Sequence, residues 1–311
     1  MKISVVLPVY NVEDFLEEAI TSLVECKLDC RDIEFIFVDD GSTDDSLSII
    51  KSWSKSDSRI KFFSKKNQGA GYSRNYGMSK ASGEYILFMD PDDWINSEGF
   101  DYMLNMLNKY NSQVDVILFG FNVISGGKLI HSKCNSDMKM YRSPSEFFSE
   151  FHSIFTQNSF FVVWNKLYRK DFLLDNDLFF SKQKTGQDAI FNIAVFSQLS
   201  QILILNKVYY NYRKNRPNSA QNSVRYNKLN DNLNIYDHFC EMVEMKKINT
   251  NLHNTHLINS LFQGLRGKNK NTTSIKEFGK IKDYSSRIIL DSSLRLFMKI
   301  VYIRYKLKMY F

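Results

Sequence analysis

The hydrophobic pattern of the first 125 residues alternates between strand and helix signals. The β-branched run Ile3–Val9 predicts a strand that is buried on both faces. Apolar side chains then recur at i, i+3, i+4 and i+7 over residues 12–24, which predicts an amphipathic helix capped by Asn11. Further strands are predicted at residues 34–38, 60–63, 85–89 and 114–124. This alternation predicts right-handed crossovers and a parallel sheet that binds ligands at the carboxyl ends of its strands.

Carboxylates collect at the carboxyl ends of two predicted strands. The residues that follow the second and fourth strands include Asp39, Asp40, Asp90, Asp92 and Asp93. Because crowded carboxylates repel one another, raised pKa values are expected there unless a cation lies among them. Helix capping is the alternative role for such acids, and it is the preferred interpretation for Asp44 and Asp45.

Two common phosphate-binding motifs are absent from the sequence. A dinucleotide-binding Rossmann domain needs glycines after its first strand, where this chain has Pro8-Val9-Tyr10-Asn11. The pair Gly69 and Gly71 is not followed by the third glycine of that motif. No GxxxxGK[ST] phosphate loop occurs either. The sequence therefore argues against both nucleotide-binding classes.

Four ordered segments resemble the family 2 glycosyltransferases, which have the GT-A fold. They are residues 5–11 (VVLPVYN), 37–44 (FVDDGSTD), 71–77 (GYSRNYG) and 83–94 (GEYILFMDPDDW). Residues 164–168, 186–188 and 210–213, together with Ser219, match less closely. The resemblance implies an α/β, GT-A nucleotide-sugar-binding fold, with a mostly parallel central sheet flanked by helices and a C-terminal helical extension.

The resemblance also implies a division of the chain. Residues 1–222 would form the catalytic domain, with a nucleotide-binding half at 1–125 and an acceptor-side half at 126–222. Residues 223–311 would form a helical C-terminal region, and nothing beyond about residue 225 resembles the family.

The activity implied by the resemblance is inverting transfer of a sugar from a UDP-sugar to an acceptor hydroxyl. Pro8, Tyr10 and Asn11 would border the base pocket. Asp39 or Asp40 would accept a hydrogen bond from the base, and a carboxylate can accept from the N–H of uracil. By family analogy the acceptor would be a lipid-linked cell-envelope polysaccharide, such as a capsule precursor.

The same resemblance implies a divalent cation, Mn²⁺ or Mg²⁺, as cofactor. Asp92 would ligate the cation, which bridges the two phosphates, and Asp90 would reach the ribose and is the second candidate ligand. Arg74 or Asn75 would assist from the neighbouring helix start. Lys166 would contact donor or acceptor, or else snorkel to solvent.

Inversion requires a base opposite the departing diphosphate. In the family this base is the aspartate of a Gly-Glu-Asp motif, which here reads Gly186-Gln187-Asp188. Asp188 is therefore the candidate base, and a helix N-cap is its alternative or additional role. The neutral Gln187 favours the rival interpretation of an inactive sugar-nucleotide-binding scaffold subunit. A nucleotidyltransferase is a further rival, but it normally has a glycine-rich basic loop after the first strand.

The net charge of +7 conceals an asymmetry between the two halves. Residues 1–125 carry 12 Lys and Arg against 20 Asp and Glu, whereas residues 126–311 carry 29 against 14. The acidic half argues against a nucleic-acid partner and fits a metal site, while the basic half fits phosphate or anionic lipid. Arg213, in the acid-free stretch 189–230, is a candidate to meet the diphosphate; a solvated loop is the alternative.

The sequence predicts a cytoplasmic protein, and a peripheral position at the inner face of the cell membrane is one of two interpretations that its last segment leaves open. The first residues show no signal peptide, no uncharged apolar run approaches 18 residues, and four cysteines suit a reducing compartment. Residues 292–311 carry five cations and no acid among apolar side chains. This segment is predicted either to lie on an anionic membrane or to pack on the domain or in a homo-oligomer.

Overall fold

A computed structural model describes residues 2–29, 31–110, 113–183, 186–215 and 228–248. The strands are β1 (Ile3–Val9), β2 (Ile33–Asp39), β3 (Ile60–Ser64), β4 (Tyr85–Phe88), β5 (Trp94–Ile95), β6 (Val116–Ser125), β7 (Lys128–Lys133), β8 (Lys139–Tyr141), β9 (Lys166–Arg169) and β10 (Ile202–Arg213). The helices are α1 (Glu13–Val24), α2 (Ser46–Ser56), α3 (Ala70–Lys80), α4 (Glu98–Lys109), α5 (Pro144–Ser149), α6 (Phe151–Gln157), α7 (Lys170–Asp175), α8 (Gln187–Gln198) and α9 (Lys228–Met245).

The described strands form one sheet in the order β3-β2-β1-β4-β9-β6-β10-β5, with β7 paired to β6 and β8 paired to β10. The pairs β1–β2, β1–β4, β2–β3 and β6–β10 are parallel, as the alternating pattern predicts. β9 runs antiparallel to both β4 and β6, so the sheet is mixed although most of its strands share one direction. The predicted α/β architecture with a mostly parallel sheet is confirmed.

The core forms where the sequence pattern places it. Every residue of β1 and β2 is buried, as expected for strands covered on both faces. α1 packs its apolar side chains, including Leu16 and Ile20, into the same core. The prediction that Asn11 caps α1 is wrong. Val12 occupies the N-cap position without a capping side chain, because the amide of Asn11 bonds instead to the loop that follows β2.

The strand register places two acidic segments beside the end of β1. Val9 lies opposite Asp39 of β2, and Val6 lies opposite Phe88, the last residue of β4. Asp40 and the turn at residues 90–93 therefore flank the carboxyl end of the same central strand. This is the edge at which parallel α/β sheets bind ligands.

The chain divides into two compact units. The first contains Met1–Lys182 and Gln187–Ser219, and the second contains Gln183–Gly186 and Ala220–Phe311. Within the second unit, the side chain of Gln183 accepts a hydrogen bond from Asn234 of α9 at 2.8 Å. In the part of the chain that the structure describes, no helix is long and apolar enough to cross a bilayer. The expectations for Ser219 and residues 292–311 lie outside the described residues.

Candidate active site

Three carboxylates converge in the acidic turn, residues 90–93, directly after β4. One oxygen from each of Asp90, Asp92 and Asp93 lies within 4.8 Å of the others. Asp93 is buried, and its two oxygens accept from the Tyr210 hydroxyl and from the backbone N–H of Arg213, both at 2.7 Å. Burial, together with the charges of Asp92 and Asp90, raises the pKa of Asp93 well above its usual range. Asp93 thus connects the turn to β10 through these two hydrogen bonds.

The acidic turn fits the cation that the sequence predicts. Asp90 and Asp92 are half-buried, and carboxylate oxygens at this separation are the hard ligands that Mg²⁺ and Mn²⁺ prefer. The three carboxylates concentrate like charge here, and a divalent cation would offset it. Asp90 and Asp92, the two predicted ligands, therefore lie together.

Arg74 joins the acidic turn to the candidate base. Its Nη2 donates to Asp90 at 2.7 Å, and its Nη1 donates to Asp188 at 2.7 Å. The guanidinium is buried, lies 5.3 Å from the Phe180 ring centroid, and has no hydrogen-bond partner for its Nε among the described residues. The sequence associates Arg74 with the donor. The structure instead places it between two carboxylates that come from different parts of the chain.

Asp188 lies in the first turn of α8. It is the second helical residue, so the alternative role of N-cap is wrong, and its carboxylate faces Arg74. Burial raises the pKa of Asp188; Arg74 opposes that shift, Asp90 reinforces it, and Lys166 opposes it. A carboxylate with a raised pKa that still carries a hydrogen-bonded counterion is suited to accept a proton.

Gln187 packs directly on α3. A methyl group added at Gly71 would lie only 2.2 Å from Oε1 of Gln187, so the glycine permits this close approach. The neutral amide therefore lies one residue from the candidate base and against the helix that carries Arg74.

The two carboxylates at the end of β2 hold loops: Asp39 is the last residue of the strand, and Asp40 follows it. Asp39 accepts from the backbone N–H of Ser42 at 3.0 Å and from the hydroxyl of Ser64 at 2.7 Å. Asp40 pairs with Lys65 and accepts from the backbone N–H groups of residues 68 and 69, at 2.9 and 2.7 Å. Both are almost fully buried. In this structure Asp39 and Asp40 both accept hydrogen bonds from protein groups. The predicted hydrogen bond from a nucleotide base would therefore compete with these protein donors.

The residues after β1 differ in how far they reach the surface. Pro8 is buried within β1, and Tyr10 is 47% exposed. Asn11 has φ of +49° and accepts from the N–H of Thr43 at 2.8 Å, while its own N–H donates to the Ser42 hydroxyl. Of the three predicted base-pocket residues, Tyr10 and Asn11 are exposed, and the Asn11 side chain is bonded to the loop after β2.

Asp44 also joins the loops after β1 and β2. One carboxylate oxygen accepts from the N–H of Ser46, at the start of α2, and the other accepts from Glu13, at the start of α1. Neither acid fits the predicted N-cap role in full: Asp44 bonds to the N–H groups at both helix starts from the position before the N-cap, and Asp45 occupies the N-cap position without a capping side-chain bond.

Two predicted site residues are engaged inside the protein. Both amide atoms of Asn75 bond to the backbone of Phe180, at 2.9 Å each. Lys166 has no exposed surface, and its three donors meet the carbonyls of Ser159 and Val162 and the side chain of Asn165. Burial lowers the pKa of Lys166 well below its usual range. Neither predicted role of Lys166, contact with substrate or snorkelling, agrees with this enclosed ammonium.

Arg213 does reach the acidic turn. Its Nε donates to the backbone oxygen of Asp92 at 2.9 Å, and Nη2 pairs with Glu18 at 2.5 Å. The guanidinium carbon lies 4.7 Å from the centroid of Trp94, so the side chain is held beside the turn.

Sequence reasoning missed Tyr210 as a site residue. Its buried hydroxyl accepts from the N–H of Asp90 at 3.2 Å and donates to Asp93, so it bonds to both ends of the acidic turn. Trp164 stacks on the Tyr210 ring at 4.6 Å. The available signal was the sequence of residues 210–213, in which Tyr210 and Arg213 are near neighbours on one strand.

Comparison with known proteins agrees with this geometry. The family described as Glycosyl transferase family 2 matches residues 4–176. Glycosyltransferase GlyA of Streptococcus pneumoniae is 32% identical over 68% of this chain, and the uncharacterized glycosyltransferase EpsJ of Bacillus subtilis is 31% identical over 70%. The aligned region spans 30% of GlyA and 62% of EpsJ, so the chain covers less than two thirds of these relatives.

The fold also matches a solved structure. The crystal structure of S. aureus TarS residues 1–349, in complex with UDP-GlcNAc, superposes with a TM-score of 0.67 at 20% identity. The match covers 93% of this chain and 82% of that one, which confirms the GT-A fold. On the family match and the identity to these relatives, the chain belongs to glycosyl transferase family 2.

Proposed function

We propose that the protein transfers a sugar from a UDP-sugar to an acceptor hydroxyl, with inversion at the anomeric carbon. The observation that carries this proposal is the bridge from Asp90 through Arg74 to Asp188. It holds a candidate proton acceptor beside a set of carboxylates that fits a divalent cation.

The proton acceptor in the proposed reaction is Asp188. The acceptor oxygen forms a bond to the anomeric carbon while the bond from that carbon to the diphosphate oxygen breaks. The hydroxyl proton passes to the Asp188 carboxylate, and the diphosphate leaves with the bonding electrons. Arg74 keeps the carboxylate oriented, and the raised pKa of Asp188 favours proton uptake.

Asp90 and Asp92 would hold Mn²⁺ or Mg²⁺. When bound, the cation supplies positive charge that stabilises the leaving diphosphate. Asp93 and Tyr210 keep the acidic turn in place. The Tyr210 hydroxyl bonds to the N–H of Asp90 and to the Asp93 carboxylate, and Asp93 also accepts from the N–H of Arg213 in β10.

UDP is the proposed nucleotide because the TarS structure that shares this fold contains UDP-GlcNAc. Pro8 and Tyr10 would border its base, while Asp39, Asp40 and Asn11 would shape the pocket by holding the loops around it. Arg213 would lie on the side of the donor that faces the bound cation. A lipid-linked cell-envelope polysaccharide, at the inner face of the membrane, is the proposed acceptor.

The direct experiment is a donor screen. The purified protein is incubated with a panel of UDP-sugars and Mn²⁺, and UDP release is measured with and without EDTA. We expect slow hydrolysis of one donor that EDTA abolishes and Mn²⁺ or Mg²⁺ restores. UDP binding without turnover of any donor would favour the inactive scaffold, for which Gln187 beside Asp188 is the specific observation. Full activity in excess chelator would contradict the metal-dependent mechanism.

A further inference from the structure

The β6–β7 hairpin presents an unusual apolar pair to solvent. β7 is exposed along nearly its whole length, and Leu129 and Ile130 are 58% and 55% exposed. The two-residue turn, Gly126-Gly127, has positive φ at both residues, as tight hairpin turns require. Among the described strands β7 pairs only with β6, so no described strand pairs with its outer edge. Natural sheets rarely leave aliphatic side chains on such an edge without a partner.

The surroundings of this aliphatic pair are positively charged. Residues 116–136, which include all of β6 and β7, contain no Asp or Glu, and neither do residues 189–215. Lys128 begins β7, Lys133 ends it, and His131 lies between them. The exposed Lys214 follows β10, and its backbone N–H donates to Ile124 of β6 at 2.7 Å. The hairpin therefore combines two aliphatic side chains with two lysines and no acid.

The hairpin turn lies at the same sheet end as the acidic turn. Ile124 pairs with Arg213 in the β6–β10 ladder, and Arg213 donates to the backbone of Asp92 at 2.9 Å. Whatever covers the hairpin would therefore lie next to the residues proposed to bind the cation.

We propose that the hairpin at residues 125–133 docks on an anionic lipid leaflet, with Leu129 and Ile130 in the interface and the lysines on the headgroups. Apolar side chains at the acyl boundary and cations at an anionic surface are the two contributions that hold peripheral proteins on membranes. A second copy of the chain is the less suitable occupant, because edge-to-edge pairing would bring two acid-free, basic strands together. The docking is independent of sugar transfer.

The test is co-sedimentation of the full chain with vesicles. Vesicles of phosphatidylcholine alone are compared with vesicles that also contain phosphatidylglycerol, at low and high salt. We expect binding only to the anionic vesicles, weakened by salt. The variant Lys128→Gln with Lys133→Gln should bind at least tenfold more weakly, and Leu129→Ser with Ile130→Ser severalfold more weakly.

Matched controls come from exposed residues elsewhere. Lys51→Gln with Lys55→Gln removes the same charge from α2, and Leu174→Ser removes a 42% exposed aliphatic side chain from α7. Both should bind vesicles within twofold of wild type. All variants should retain the thermal stability and UDP-sugar hydrolysis of wild type, so a failure of docking is distinguishable from a failure of the proposed function.

Three outcomes would overturn the proposal. They are equal vesicle binding by the hairpin variants and wild type, an absence of vesicle binding by wild type, and a wild-type dimer that the hairpin variants convert to monomer without lipid. The last would assign the hairpin to self-association, and light scattering on the same samples measures it.

Discussion

Two acidic strand ends flank β1, and they differ in how closely their carboxylates are crowded. After β2, Asp39 and Asp40 accept hydrogen bonds from backbone N–H groups, from a hydroxyl and from Lys65. After β4, the carboxylates of residues 90–93 lie within 4.8 Å of one another. The first arrangement has two carboxylates, each with its own set of protein donors, whereas the second crowds three carboxylates together although Asp90 and Asp93 also accept from protein groups.

This difference indicates which carboxylates are suited to a role in the reaction. A carboxylate whose donors come from the protein stabilises the fold, and replacing those donors by a ligand would cost their hydrogen bonds. Crowded carboxylates keep like-charge repulsion that a cation relieves on binding. The comparison therefore predicts that substitutions after β4 affect turnover, and that substitutions after β2 affect stability.

The largest effect is expected for Asp92→Asn. Loss of a ligand charge should abolish donor turnover, while the melting temperature stays within a few degrees, because Asp92 is partly exposed. UDP release and thermal unfolding measure the two quantities. Asp39→Asn is the matched control after β2, and it should lower the melting temperature more than Asp92→Asn does. The reverse ranking of the two variants in stability would break the comparison.

Asp188→Asn separates chemistry from binding. We expect transfer to fall by about 10²-fold or more, the usual contribution of a general base, while UDP affinity stays within a few-fold. Calorimetry with UDP and Mn²⁺ gives the affinity, and a saturating-donor assay gives kcat. A collapse of affinity with normal turnover of bound donor would make Asp188 a binding residue.

Arg74→Lys tests the bridge between the two carboxylates. One ammonium cannot reproduce the guanidinium fork, so either Asp90 or Asp188 loses its partner. We expect kcat to fall by about 10²-fold, the scale of a small misplacement at the reacting centre, with little change in donor KM.

Arg59→Lys is the control for Arg74→Lys. Arg59 is also largely buried and pairs with Asp57, but it bonds to the chain after α1 rather than to the acidic turn. The Arg59→Lys substitution should lower the free energy of unfolding without lowering kcat. If Arg74→Lys raises KM and leaves kcat normal at saturation, Arg74 binds the donor as the sequence suggested.

The elements that the sequence predicts best are those fixed by local pattern. β1, β2 and α1 follow from uninterrupted β-branched or periodic apolar runs, and the observed ends differ by a residue or two. The antiparallel strand β9 was not predicted. It has only four residues, which follow Trp164 and Asn165, and so short a sequence pattern does not indicate in which direction a strand runs in the sheet. Strand direction depends on the connection, and that is a tertiary property.

The site residues were predicted as a set, but their contacts were not. Arg74 meets partners 16 and 114 positions away, so no local pattern could reveal the bridge. Lys166 was misjudged because two of its three acceptors are backbone oxygens of the preceding loop, and every residue type supplies those. Asn11 was misjudged because the N–H of Thr43 competes for its side chain from 32 residues away.

A moderate loss of stability is expected for Asp40→Asn. The carboxylate is buried, pairs with Lys65 and accepts from two backbone N–H groups, and an amide offers one acceptor oxygen and no charge. Removing one partner of a buried ion pair typically costs about 3–5 kcal/mol. Denaturant unfolding measures the loss. A loss of unfolding free energy below about 1 kcal/mol would contradict the structural role assigned to the carboxylates at the end of β2.

The smallest effect concerns Glu34, a carboxylate at the amino edge of the same sheet. It is 1% exposed and accepts from Lys61, from Ser4 at 2.6 Å and from both donors of Ser82 at 2.7 Å. Burial acts to raise its pKa, but these donors outweigh burial and the net pKa lies below the usual value. Glu34 therefore belongs with Asp39 and Asp40, the carboxylates that protein donors complete.

A lowered pKa in the folded state fixes the sign of the pH dependence. The unfolded chain binds the proton more tightly, so the Glu34 contribution is fully present above the unfolded pKa of about 4.3. It is lost as pH falls through that value toward the lower folded pKa. Glu34→Gln should thus destabilise the protein at pH 7, and the difference from wild type should shrink as pH falls below about 4.3. Unfolding free energies of both proteins across that range measure this. A difference that grows toward low pH would place Glu34 with Asp93, because only a carboxylate with a raised pKa gives that sign.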